Sequence, residues 1–188
     1  MSPASVAPQT FVALLRGINV GKANRIPMAG LRALLEGLGY TDVTTLLNSG
    51  NAVFRAAKGT PAKHAADIAA TITSQMQLNV PVIVKSAQEL DAITSANPWA
   101  TTAPDPSRLL VAFAQNNQAL GGLDTISKSV VAPEEFVIGS QAAYLHCVSG
   151  ILESKAGKAL LGKPGQAVTT RNWATVLKLQ ALAVGNSG

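Results

Sequence analysis

Apolar and polar positions follow one another in short blocks along this chain, and their period changes from block to block. Phe11 to Leu15 (FVALL) is a continuous apolar run of strand length. Leu31, Leu34, Leu35 and Leu38 then recur at helical spacing, with Pro27 at the expected start and Gly39 at the stop. Val43–Leu47 and Ala52–Arg55 read as two strands, and Asn48-Ser49-Gly50-Asn51 between them as a hairpin turn. Pro61 opens a second helix with Ile68, Ile72 and Met76 on one face. Val80–Val84 is a β-branched strand, and the capping box Ser86 to Glu89 begins a third helix that stops at Asn97-Pro98. The order is strand, helix, strand, strand, helix, strand.

After a proline-rich stretch the order starts again. Arg108–Ala114 is a strand, and Gln118–Ile126 a weak helix interrupted by Gly121-Gly122. Glu134–Ile138 and Ala142–Cys147 are strands, and Leu152–Leu161 a helix. Ala167-Val168-Thr169 makes a short closing strand, and a last helix runs from Thr170 to Val184. The pattern predicts an α+β protein of two ferredoxin-like (βαββαβ) subdomains from an internal duplication, each an antiparallel sheet covered by helices. The expected division is a flexible N-terminus over 1–10, a first subdomain over 11–97, a linker over 98–107, and a second subdomain with the C-terminal helix over 108–188.

Composition supports a buried core: 47% of the 188 residues are hydrophobic and only 13% charged. No apolar run is long enough to span a bilayer, and the first ten residues do not read as a signal peptide. A lone cysteine, Cys147, points to a reducing, cytoplasmic setting. Charge is unevenly spread. The ends, before Glu36 and after Glu153, carry nine basic residues and no acid, whereas the middle is net −4. Ends that met in the fold would make a patch attractive to anions; otherwise they carry solubilising lysines.

Three polar motifs stand out. The first, Arg16-Gly17-Ile18-Asn19-Val20-Gly21-Lys22, follows the first strand. It has the outline of a phosphate loop but fails in detail: three residues, not four, separate its glycines, and Ala23 stands where a magnesium-holding hydroxyl would be. An anion contact through Arg16, Asn19 and Lys22 remains, against a purely structural turn. The second, Asn48, Ser49 and Asn51 at the hairpin, belongs in a turn for backbone reasons, yet its amides could read a polar ligand. The third is Thr170, Arg171, Asn172 and Trp173. Thr170 is the expected N-cap, which leaves Arg171 against the positive end of the helix dipole, an arrangement that an anion or a carboxylate such as Glu36 or Asp42 would relieve. Trp173 falls on the apolar stripe and is expected in the core.

Catalytic sets do not assemble. His64 falls on a polar helix face and is expected to be solvated. His146 and Cys147, adjacent in a strand, point to opposite faces. Two histidines and one cysteine give no metal-ligand cluster, and no cofactor motif is present. The aromatic content of 4% is too low for an RNA-stacking sheet.

Taken together, LLRGINVGK, the LRALLEGLGY helix, TTLLNSGNAVF and TTRNWATVLKL resemble the bacterial family called domain of unknown function 1697, from about Phe11 to Leu182. The resemblance implies a pair of ferredoxin-like subdomains and no established activity. It marks Arg16, Gly17, Asn19, Gly21, Ser49, Gly50, Asn51, Thr170, Arg171, Asn172 and Trp173. The chain departs from the family's pattern at Leu47-Asn48, where relatives often carry an aromatic and a glutamine. The expectation is a binding module in which the three motifs form a groove for an anionic or nucleotide-like small molecule or a nucleic-acid backbone, with no membrane partner. The rival expectations are a transferase or hydrolase acting on a phosphorylated or amide-containing molecule, and motifs that only hold the subdomains together.

Overall fold

The fold is that of a computed structural model describing residues 7–186. Its first strand, β1 (Gln9–Leu15), sits inside a four-stranded antiparallel sheet with β2 (Thr41–Leu46), β3 (Asn51–Ala56) and β4 (Val82–Ser86), in the order β2-β3-β1-β4. Two helices complete the unit, α1 (Met28–Gly37) and α2 (Pro61–Met76). Alternation along β1 turns Phe11, Ala13 and Leu15 to one face, where they pack with Leu31 and Leu35 of α1 and Ile68 and Ile72 of α2. Thr60 caps α2, its Oγ1 accepting from Lys63 N at 3.2 Å, and Pro61 occupies the first helical position.

A second unit repeats the topology. Strands β5 (Leu109–Ala114), β6 (Glu135–Ile138), β7 (Ala142–His146) and β8 (Val168–Asn172) form an antiparallel sheet in the order β6-β7-β5-β8. Helices α4 (Asn117–Gly121), α5 (Asp124–Ser127) and α6 (Lys155–Leu161) build its core with Leu120, Ile126 and Leu160. Both units are thus ferredoxin-like, in an α+β protein. The remaining helices are α3 (Ala87–Ser95) and α7 (Trp173–Gly185). By their contacts the described residues divide into 7–88 together with 179–186, and 89–178. The division falls ahead of the proline-rich 98–107 segment, and the end of the chain groups with the first unit.

Several boundaries differ from the sequence reading. Of the expected flexible N-terminus, residues 1–6 lie outside the described residues, whereas Gln9 and Thr10 already pair with Ala56 and Arg55. Pro27 precedes the first turn of α1 as its N-cap. The weak helix breaks at the two glycines into α4 and α5. The helix expected from Leu152 starts at Lys155, because Ser154 caps it through Gly157 N at 2.9 Å. No helix is long and apolar enough to cross a membrane among the described residues.

Candidate functional site

Strand register brings the first two motifs together. Leu14 pairs with Asn51, so the loop leaving β1 emerges beside the β2–β3 hairpin. Leu15 N donates to Gly50 O at 2.8 Å and closes the junction. Asn19, at φ +55°, then braces the loop: its Nδ2 donates to Ile26 O and to Asn48 O, each at 2.9 Å, and its Oδ1 accepts from Ile26 N at 2.9 Å. Asparagine suits this place because it tolerates the left-handed region and carries both a donor and an acceptor. Asn24 Nδ2 adds a bond to Gly17 O at 3.1 Å, and a bridge from Val20 to Ala23 folds Gly21 and Lys22 into a tight tip. In the hairpin, buried Asn51 donates to Leu46 O at 3.0 Å and to Ser49 Oγ at 2.9 Å.

The asparagines therefore spend their amides on the chain itself, and the cations stand over the frame they build. Lys22 and Arg25 are exposed, and neither makes an ion pair among the described residues. Arg16 is half-buried, and desolvation lowers its pKa. Neither the loop, 16–27, nor the hairpin, 46–51, contains an acid. Arg25 is the residue that motif reading missed; the acid-free charge pattern around it was the available signal. Val20 (71% exposed) and Leu47 (53%) flank the bonded pair Asn19 and Asn48, and Leu47 holds φ at +58°, an unusual conformation for a leucine.

The third motif lies in the second unit and is built differently from expectation. Arg171 is a strand residue of β8, paired opposite Val111, and precedes α7 rather than standing in its first turn. The cap of α7 is Asn172, not Thr170: its Oδ1 accepts from Thr175 N at 2.9 Å. Arg171 Nη1 donates to Thr169 Oγ1 at 3.0 Å and to Thr170 O at 2.9 Å. Burial pushes its guanidinium down to about 10, which leaves it charged at neutral pH. Trp173 is buried, as the apolar stripe implied. Asp42, one acid considered for Arg171, lies 3.7 Å from Arg55.

His64 is also not where the sequence placed it. Its side chain is buried, not solvated, in an aromatic cluster with Phe11, Tyr40 and Phe54. Phe11 lies four residues before Leu15, and a strand rises about 3.3 Å per residue, so His64 sits roughly 13 Å along β1 from the start of the loop. Burial lowers its pKa from the ordinary 6.5; Asp67 opposes this and Lys63 adds to it. Below pH 6.5 the unfolded chain takes up a proton that the folded one refuses, so stability falls with acidification until the lower folded pKa is passed. A denaturation midpoint measured between about pH 7.5 and 5.5 should decline, and the decline should be shallower in His64→Phe. Cys147 is buried with its thiol pushed up to about 11, an environment for an inert thiol rather than a nucleophile.

Comparison places the chain among known proteins. It is similar to a solved structure, the conserved bacterial protein SP0830 from Streptococcus pneumoniae, at 23% identity over 94% of this chain and 99% of that one, with a TM-score of 0.77. No curated protein matches it. Residues 9–144 match the family model described as protein of unknown function (DUF1697). With the doubled ferredoxin-like fold and the braced loop in place, that match over most of its length means the chain belongs to the DUF1697 family.

Proposed function

We propose that the protein is a binding module, and that the loop and hairpin of its first unit hold an anionic, nucleotide-like ligand. The observation that carries this reading is the cationic loop with a fixed backbone: Asn19 anchors it at three points while Lys22 and Arg25 keep their charges unpaired among the described residues. A loop ordered before binding does not have to be ordered by the ligand, so less affinity is lost to entropy. Exposed Val20 and Leu47 beside those cations suit a ligand that joins an apolar or planar part to an anionic group. His64 is the wrong distance along β1 to serve this loop as a base, which supports binding over catalysis here. The lone cysteine fits a reducing, cytoplasmic setting.

Titration with nucleoside triphosphates and short oligonucleotides tests the reading. Lys22→Glu with Arg25→Glu should weaken binding about tenfold or more without moving the thermal midpoint, because both side chains are exposed. For an oligonucleotide, the slope of affinity against salt should fall by about two. Absence of binding by either ligand class, or equal binding by the double variant, would sink the proposal.

A further inference from the structure

A cavity of about 210 Å³ opens at the N-terminal end of α2, lined by residues that include Tyr40, Lys58, Gly59, Lys63, His64 and Asp67. We propose that it is a second ligand site, for a small molecule bearing an oxyanion, either phosphate or carboxylate. It stands apart from the cationic loop and does not depend on that loop's function.

The donor at its base is His64. Its ring is buried, Nδ1 lies 2.9 Å from Tyr40 Oη, and Nε2 has no hydrogen-bond partner among the described residues. The proposed site takes the tautomer in which the phenol donates to Nδ1 and the proton of the neutral imidazole rests on Nε2. A buried N–H without an acceptor is costly, and an oxyanion would satisfy it.

Gly59 packs its backbone against that nitrogen and leaves no side chain over it. A Cβ there would lie 2.8 Å from Nε2 and 2.6 Å from Cε1, and the backbone holds φ at +109°, which favours glycine. The surrounding charge has the right sign. Lys63 Nζ contacts both Asp67 carboxylate oxygens, at 3.0 and 2.9 Å, so those two charges offset each other. Lys58, exposed and without an ion pair among the described residues, is left as the surplus cation. The 16-residue α2 directs the positive end of its dipole to the same place. At roughly 30 Å³ per water, the cavity equals about seven waters, enough for a phosphate or a short carboxylic acid.

Long-range 15N–1H spectra of the His64 ring, recorded while inorganic phosphate or acetate is added at constant ionic strength, test the site. The expected result is a saturable shift of Nε2 and of the Gly59–Lys63 amides, with Lys58→Ala weakening it about tenfold. Lys58 is exposed, so that variant should fold. In His64→Phe the amide shifts should weaken as well. Whichever anion saturates at the lower concentration identifies the oxyanion class. No saturable shift with either anion, the same shift with chloride, or full retention of binding in Lys58→Ala would overturn the proposal.

Discussion

Replacing Gly50 by alanine should lower the stability of the first unit by about 3 kcal/mol. Two costs add. Gly50 holds φ at +83°, where an L side chain costs roughly 1–2 kcal/mol. Its new Cβ would stand 2.7 Å from Leu15 Cβ and 2.9 Å from Ile18 Cδ1, and overpacking of this kind costs about 1–3 kcal/mol. For a chain of this size the thermal midpoint should drop by roughly 6–12 °C. Gly17→Ala and Gly21→Ala are the controls. Their φ values, +67° and +60°, carry similar strain, but nothing lies within 4 Å of the added carbon. The difference between Gly50→Ala and these controls measures the packing cost alone. Equal losses at all three positions would mean that Gly50 serves only its turn, not the contact between hairpin and loop.

His64→Ala should cost about 4 kcal/mol, the larger effect. The substitution empties an aromatic cluster in which the His64 ring lies 4.5 Å from the Phe11 centroid and 5.1 Å from that of Tyr40. It also strips the Tyr40 hydroxyl of its partner, itself worth about 1–3 kcal/mol. His64→Phe separates the two parts, since it keeps a ring and loses the hydrogen bond. Chemical denaturation should place it between wild type and His64→Ala. A loss below about 1 kcal/mol in His64→Ala would show that the cluster does not support the core.

Most of the fold was legible in the sequence, because apolar periodicity and turn residues report on local geometry. The two βαββαβ runs and the hairpin at Asn48 and Ser49 are of this kind. His64 was misplaced because it was assigned to the polar face of α2 rather than to its apolar stripe. It stands four residues before Ile68, on the stripe that continues through Ile72 and Met76, and extending that stripe by one turn would have buried it. Its partner Tyr40 comes from beyond α1, a contact that only tertiary structure supplies. Arg171 was misread for a different reason. Strand β8 passes into α7 with no intervening loop, so no break in the pattern marks the boundary. Asn172 itself, a favoured cap residue type, was the local sign of the cap. The roles of Asn19 and Asn51 depend on backbone groups up to 29 residues away, which no spacing rule could name.

The grouping of the last residues with the first unit has a consequence for synthesis. Asn186 donates to Asp42 O at 3.0 Å, and its own carbonyl accepts from Thr10 Oγ1 at 3.4 Å. Asp42 is made well before Asn186, and these contacts wait until 144 further residues have been made. At about 5–20 residues per second that delay is on the order of ten seconds, and the whole of residues 89–178 is made within it. The unit begun before residue 89 therefore makes these contacts only after every residue of the other has been made.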